Sequence, residues 1–170
     1  MLFATDFRAA ERTAQLIVQV AGRAGRAAQP GTVLLQTRNP EHPLLRTLID
    51  AGYPAFAAAA LDERRGVGLP PFGHLAVWRA DALDADAPRQ FLTDLREQAE
   101  AWRIDGVEVL GPAPAPMLRQ AGRHRYQLLL QSADRASLHG MIDRLQPAVA
   151  ALGRTRGLRW SLDVDPIDCY

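Results

Sequence analysis

The chain has 170 residues with a formal net charge of +1, and 48% of them are hydrophobic, which fits a globular protein with one domain of ordinary size and an appendage. All 20 basic residues are arginine, so the chain holds neither the lysine of a G-x-x-x-x-G-K-[ST] phosphate loop nor a Schiff-base lysine. The lone cysteine, Cys169, rules out an internal disulfide and a cysteine-rich zinc site, no apolar run reaches the ~18 residues of a membrane span, and the pattern predicts a reducing, cytoplasmic setting.

The N-terminus has no basic segment followed by a long apolar one, so no signal peptide is expected. Residues 6–21 read as a helix with Asp6 as N-cap. Ala10, Ala14, Ile17 and Ala21 recur at helical spacing, and Leu16 and Val20 widen the stripe. Gly22 and Gly25 are expected to stop the helix and open a loop carrying Arg23 and Arg26. Gln29-Pro30-Gly31 reads as a turn, and residues 32–37 as a short strand. Residues 41–68 predict two helical pieces, divided where Gly52 ends the first and Tyr53-Pro54 starts the second. Arg64 and Arg65 suit the dipole at the end of the second piece. Gly66, Gly68, Pro70 and Pro71 then break the chain. The expected division is a piece over 1–40, a helical connector over 41–69 and an α+β domain over 70–170.

In that last region residues 74–80 alternate as a strand, with Leu75, Val77 and Arg79 on one face. Residues 86–102 predict an amphipathic helix burying Phe91, Leu92, Leu95 and Ala99. Residues 107–110 read as a second strand, and 111–116 as a stiff, proline-bearing linker. A third strand is expected over 125–131. Asp134 caps a helix over 135–152 that turns Leu138, Ile142, Leu145 and Val149 inward, with Pro147 interrupting it. A fourth strand covers 158–164. The order β-α-β-β-α-β is that of the split βαβ, or ferredoxin-like, arrangement. Trp78, Trp102 and Trp160 are expected in the core.

Four groups of residues are candidates for chemistry. Gln19-Val20-Ala21-Gly22-Arg23-Ala24-Gly25-Arg26 places two guanidiniums on a glycine-hinged loop, and each offers a planar fork of donors suited to phosphate. A solvated helix end is the plain alternative. The second group is Arg119-Gln120-Ala121-Gly122-Arg123-His124-Arg125-Tyr126. From Gly111 to Gln131 there are three arginines and no acid, whereas Asp84 to Glu108 holds seven acids against three arginines. Such a basic stretch attracts phosphate backbones, and Tyr126 with His124 could stack on unpaired bases. Taken in isolation, it would read as a solvated hairpin. In the third group, Arg135 and His139 share one face of the last helix near its N-terminus, where a carboxylate is attracted; surface decoration is the preferred reading from the residues alone. The fourth group, Asp163, Asp165 and Asp168, lacks the further ligands of a metal shell. No acidic cluster that could hold magnesium follows an apolar strand, and His42 and His74 have no partner signature.

The first of these stretches resembles motif VI of superfamily 2 helicases, Q-x-x-G-R-x-G-R. The resemblance extends to Asp6-Phe7-Arg8-Ala9-Ala10-Glu11-Arg12, Asn39-Pro40-Glu41-His42-Pro43-Leu44-Leu45, Glu63-Arg64-Arg65 with Leu69-Pro70-Pro71, Val109-Leu110-Gly111-Pro112, Gly122-Arg123-His124-Arg125-Tyr126-Gln127 and Leu162-Asp163-Val164-Asp165-Pro166. Together they resemble the C-terminal part of the PriA family, the bacterial primosome-assembly (replication restart) DNA helicases of superfamily 2.

The resemblance implies a fragment of an ATP-dependent 3′→5′ DNA helicase, a nucleoid-associated hydrolase. Its cofactors would be ATP and magnesium in the whole protein, with the family's zinc segment absent from this stretch. On that basis Gln19, Arg23 and Arg26 face ATP phosphates brought by another lobe, and the first 40 residues are the tail of a RecA-like motor lobe. Arg119, Arg123, Arg125 and Tyr126 become DNA-contact candidates for forks, displacement loops or single strands. Arg135 and His139 become candidates for the acidic tail of single-stranded DNA-binding protein, with other primosome proteins as further partners and no membrane. His139 stands where glutamine would be more usual. The alternative is a stand-alone binding module for branched or single-stranded DNA, or for that acidic tail. With one half of a nucleotide site, the chain alone is expected not to hydrolyse ATP. An uncovered helix and strand edge in the first 40 residues predict self-association.

Overall fold

The computed structural model describes residues 7–24 and 31–167. Asp6, Gly25, Arg26, Gln29, Pro30, Asp168 and Cys169 therefore lie outside the described residues. The chain divides into two compact units, Met1–Val67 and Gly68–Tyr170.

The first unit pairs helix α1, Ala9–Ala24, with helix α2, Pro43–Gly66. Ala14, Leu44, Leu48 and Phe56 form its core, and Ala10, Ile17 and Tyr53 pack around them. Arg64 on α2 reaches back to α1, its Nη2 donating to Glu11 Oε2 at 2.8 Å and to the Phe7 carbonyl at 3.3 Å. As the glycine and the Tyr53-Pro54 step predict, α2 is two helical pieces, with Gly52 at φ 81 and ψ 178 between them. Pro54 thus falls in the first turn of a helical piece, where its missing N–H breaks no bond.

Two expectations fail in this unit. Gly22 does not stop α1, which runs on to Ala24, so Arg23 stands in the last helical turn rather than on a loop. A single glycine costs about 1 kcal/mol relative to alanine inside a helix, too little to end one alone. Residues 32–37 form no strand. Leu34 is 93% exposed, and no described segment runs beside this stretch to make a ladder, without which β-forming residues have nothing to pair with. The far half of α1 is also open, with Leu16, Val18 and Val20 exposed.

The second unit is an α+β domain built on one antiparallel sheet. Its strands are β1, His74–Ala82, β2, Val107–Gln120, β3, Arg123–Ser132, and β4, Arg159–Val164, in the order β2-β3-β1-β4. Helix α3, Asp86–Trp102, follows β1, and helix α4, Arg135–Leu152, follows β3, so the chain order is the expected β-α-β-β-α-β. Ala76, Trp78 and Ala80 alternate along β1 and meet Leu128 and Leu130 of β3 on one face. Against that face α3 packs Phe91, Leu92, Leu95 and Ala99, and α4 packs Leu138, Met141, Ile142, Leu145 and Val149. Of the three tryptophans only Trp78 is buried; Trp102 and Trp160 are partly exposed, Trp160 lying against Phe91 with ring centroids 6.4 Å apart.

The expected linker over 111–116 is part of β2. Proline weighs against a central strand, but β2 is the edge of the sheet and its register with β3 shifts between Leu110 and Ala113 and again between Pro114 and Arg119. Edges and bulges are where a strand tolerates a missing N–H. Gly111 begins the first shift at φ 109, and a Cβ there would stand 2.9 Å from the Gln127 carbonyl oxygen. Ala121 and Gly122, at φ 49 and 77, make the two-residue β2–β3 hairpin turn, a conformation that requires positive φ at both positions. Helix α4 continues through Pro147 as one element.

Asp134 caps α4 as its sequence position predicts, accepting from the Ser137 backbone N–H and from the Ser137 hydroxyl, both at 2.7 Å. These bonds hold its carboxyl below the usual carboxylate range. A lowered folded-state pKa adds stability that is complete above the unfolded-state pKa and disappears as pH falls through the folded-state value. Asp134→Asn keeps an acceptor oxygen but cannot titrate. Urea midpoints of the wild type and of Asp134→Asn are expected to converge as pH falls below the ordinary aspartate range, and a gap that does not change with pH would refute this role.

Candidate functional site

Strand alternation decides where the candidate side chains go. The helices cover the face bearing Ala76, Trp78 and Ala80, so the odd-numbered β1 residues stand on the other face, with their registered neighbours on β3 and β4. Arg125, Asp81 and Arg159 form one cross-strand row there, and Gln127, Arg79 and Ser161 form the next. The end of this face nearer His74 is apolar, with Leu75 and Val77 fully buried.

Of the basic stretch, Arg119 is exposed on β2 opposite His124. Arg123 is not available as a free cation. Its Nε pairs with the Asp81 carboxylate, and its Nη2 donates to the Asp81 carbonyl at 3.0 Å and to the Gly157 carbonyl at 2.6 Å. The side chain is only 14% exposed and ties the start of β3 to the end of β1 and to the loop before β4. Arg125 Nη1 donates to the Gln120 side-chain carbonyl at 2.9 Å. Tyr126 is turned to the helix side, where it packs on the core, so it is not placed to stack on a base at the open face.

Gln19 and Arg23 are exposed and one turn apart on α1. Arg135 and His139 are exposed on the first turns of α4, and Arg135 Nη2 lies 3.4 Å from Asp165 Oδ2. His74 Nδ1 approaches the same carboxylate at 3.8 Å. Asp163 accepts from Arg79 Nη1 at 3.1 Å, so the two aspartates that share a spacing of two serve as arginine partners. Among the described residues no helix is long and apolar enough to cross a membrane.

The residues that the sequence did not single out are Asp81 and Arg159, together with Arg79 as a site residue. They line a cleft of about 220 Å³ with Arg125 and Ser161, closed on one side by Ala115 from the β2 bulge. The signal was present as a period of two within each strand, but pairing it across strands needed the register.

The family model described as the primosomal protein N C-terminal domain matches residues 65–167. The chain is 46% identical to a replication restart protein PriA of Haemophilus influenzae over 98% of its own length, which is 23% of that protein. It is 33% identical to the Synechocystis protein of the same name over 95% of its length, 19% of that relative, and 31% identical to that of Thermotoga maritima over 90%, 20% of the relative. It thus spans about a fifth of the curated relatives it matches. Among solved structures, a dimeric ferredoxin-like protein from an uncultured marine organism aligns over 54% of this chain and 92% of its own at a TM-score of 0.37 and 13% identity, too remote to bear on either fold or function. With the model matching more than half of its length, the chain belongs to the family of the primosomal protein N C-terminal domain, homologous to the C-terminal part of the PriA replication restart proteins.

Proposed function

We propose that this chain is the DNA- and partner-binding end of an ATP-dependent 3′→5′ replication restart helicase. The observation that supports this best is a sheet-and-hairpin surface rich in arginine, on a domain of the PriA family. Arg119 and Arg125 are exposed or half-exposed at one end of the sheet and suit phosphate oxygens of forks, displacement loops or single strands. Arg123 acts indirectly by neutralising Asp81, and Tyr126 shapes the strand from the core side.

In the first unit, Gln19 and Arg23 on one exposed helix face support the reading of residues 1–40 as the tail of a motor lobe. Their partners would be the phosphates of ATP, with magnesium, held by protein outside this chain; Arg26 belongs to the same motif. Residues 41–69 are read as the helical connector. Leu16 and Val20, exposed one turn apart on α1, belong to the surface that the rest of such a lobe would cover, and they mark the place where isolated chains would associate. Arg135 and His139 suit carboxylates of an acidic tail such as that of single-stranded DNA-binding protein. The setting is the bacterial nucleoid, among primosome proteins.

The expected result is that the full chain binds labelled forked DNA without ATP, and that affinity falls about 20-fold between 50 and 200 mM salt if roughly three single-strand phosphates are neutralised. Fluorescence anisotropy at both salt concentrations reads this, and a chain that shows no DNA binding at the lower salt would refute the proposal.

A further inference from the structure

The cleft at the open end of this sheet face carries more than a generally basic surface would. Three guanidiniums from three strands converge on it: Arg79 from β1, Arg125 from β3 and Arg159 from β4. Neighbouring strands are about 4.8 Å apart, so Arg125 and Arg159 flank Asp81 across roughly 10 Å. Arg79 is engaged with Asp163, and Arg125 with Gln120. Arg159 is exposed and has no hydrogen-bond or ion-pair partner among the described residues. The one carboxylate on the floor, Asp81, is already paired with Arg123 from outside the cleft. The residual charge is therefore positive and points to an anion. The Ser161 position adds a hydroxyl beside Arg79.

The size and the lining narrow the class. About 220 Å³ takes roughly seven waters at their liquid volume, enough for a phosphodiester group and too little for a duplex. Tyr126 and Trp160, which also border the cleft, stand at registered positions on the helix side, where Tyr126 packs on the core and Trp160 on Phe91. Neither ring is thus offered to a base from the cleft side, and guanidinium forks are matched to phosphate oxygens. We propose that this cleft grips the sugar-phosphate backbone of single-stranded DNA without reading bases, with Arg159 as its principal contact and Asp81 as a built-in counter-charge that weakens the grip. This rests on the reading of the domain as a DNA binder.

The test is anisotropy of the full chain with a fluorescein-labelled 20-nucleotide oligodeoxythymidine across a salt series. Arg159→Gln is expected to weaken binding about tenfold and to lower the magnitude of the salt slope by about 0.7. The side chain is exposed on an edge strand, so folding should be unaffected. Asp81→Asn removes the floor charge and leaves the Arg123 guanidinium uncompensated, so it is expected to tighten binding several-fold while lowering stability, as breaking this pair from the Arg123 side does. An oligomer of the same deoxyribose-phosphate backbone without bases should bind as well as the thymidine strand, and a methylphosphonate strand of the same sequence should not bind. If Arg159→Gln binds like the wild type with the same salt slope, the cleft assignment is wrong while the DNA reading stands. A wild-type chain that does not bind the strand at all overturns both. Equal affinity for a polyglutamate peptide of matching charge would overturn the phosphate assignment.

Discussion

Trp78→Ala is expected to lower the unfolding free energy of the Gly68–Tyr170 unit by about 3–5 kcal/mol, the range for deleting a large aromatic side chain from a packed core. The position explains the size. Trp78 is fully buried on β1, an interior strand of the sheet, opposite Leu128 on one side and Leu162 on the other, under both helices. Native domains are stable by only about 5–15 kcal/mol, so the loss would take a large share of the total. Trp78 Nε1 is buried without a hydrogen-bond partner among the described residues. Trp78→Phe removes that orphan donor along with some volume, and an unpaired buried donor costs about 1–3 kcal/mol, so the phenylalanine variant should fall well short of the alanine one. Urea unfolding followed by far-ultraviolet circular dichroism compares the three proteins. An alanine variant within 1 kcal/mol of the wild type would show that this strand is not the centre of the core.

Arg123 and Arg125, two residues apart, should separate cleanly in experiment. Arg123→Ala leaves Asp81 without its partner and the Gly157 carbonyl without a donor, in a place where the two side chains are 14% and 31% exposed. The expected destabilisation is about 2–4 kcal/mol, towards the lower end of what breaking a buried pair produces. Part of any lost DNA affinity in this variant would come from the bared Asp81 carboxylate. Arg125→Ala removes a half-exposed side chain held by one bond to Gln120. Its stability should stay within about 0.5 kcal/mol of the wild type, while affinity for single-stranded DNA should fall about tenfold. Equal thermal shifts in the two variants would contradict the buried role given to Arg123. Unchanged DNA affinity in Arg125→Ala would remove it from the binding surface.

The helical repeats of α3 and α4 were legible because apolar residues at three- and four-residue spacing need only one partner face, and Phe91, Leu95, Leu138 and Leu145 all reached it. The kink at Gly52 was legible because glycine followed by Tyr-Pro is a local signal. What escaped was non-local. Residues 32–37 have strand composition but no neighbour to pair with, and composition carries no information about neighbours. Residues 111–116 look like a linker because proline resists a central strand, and only the sheet order reveals that β2 is an edge. The basic hairpin read as one surface of four contacts. Pleating divides it, sending Arg123 and Arg125 to the open face and Tyr126 to the core, and it takes the register to bring Arg79 and Arg159, from distant parts of the chain, into the same cleft.

The outer rim of β2 has a consequence for the behaviour of the protein in concentrated solution. A sheet edge normally presents a row of amide donors on which another chain can be templated. Here Pro112, Pro114 and Pro116 bear no amide hydrogen, and the shifted register prevents a straight strand from lying alongside. The same sequence that bends this strand therefore guards this edge of the sheet against growth into stacked, cross-β aggregates.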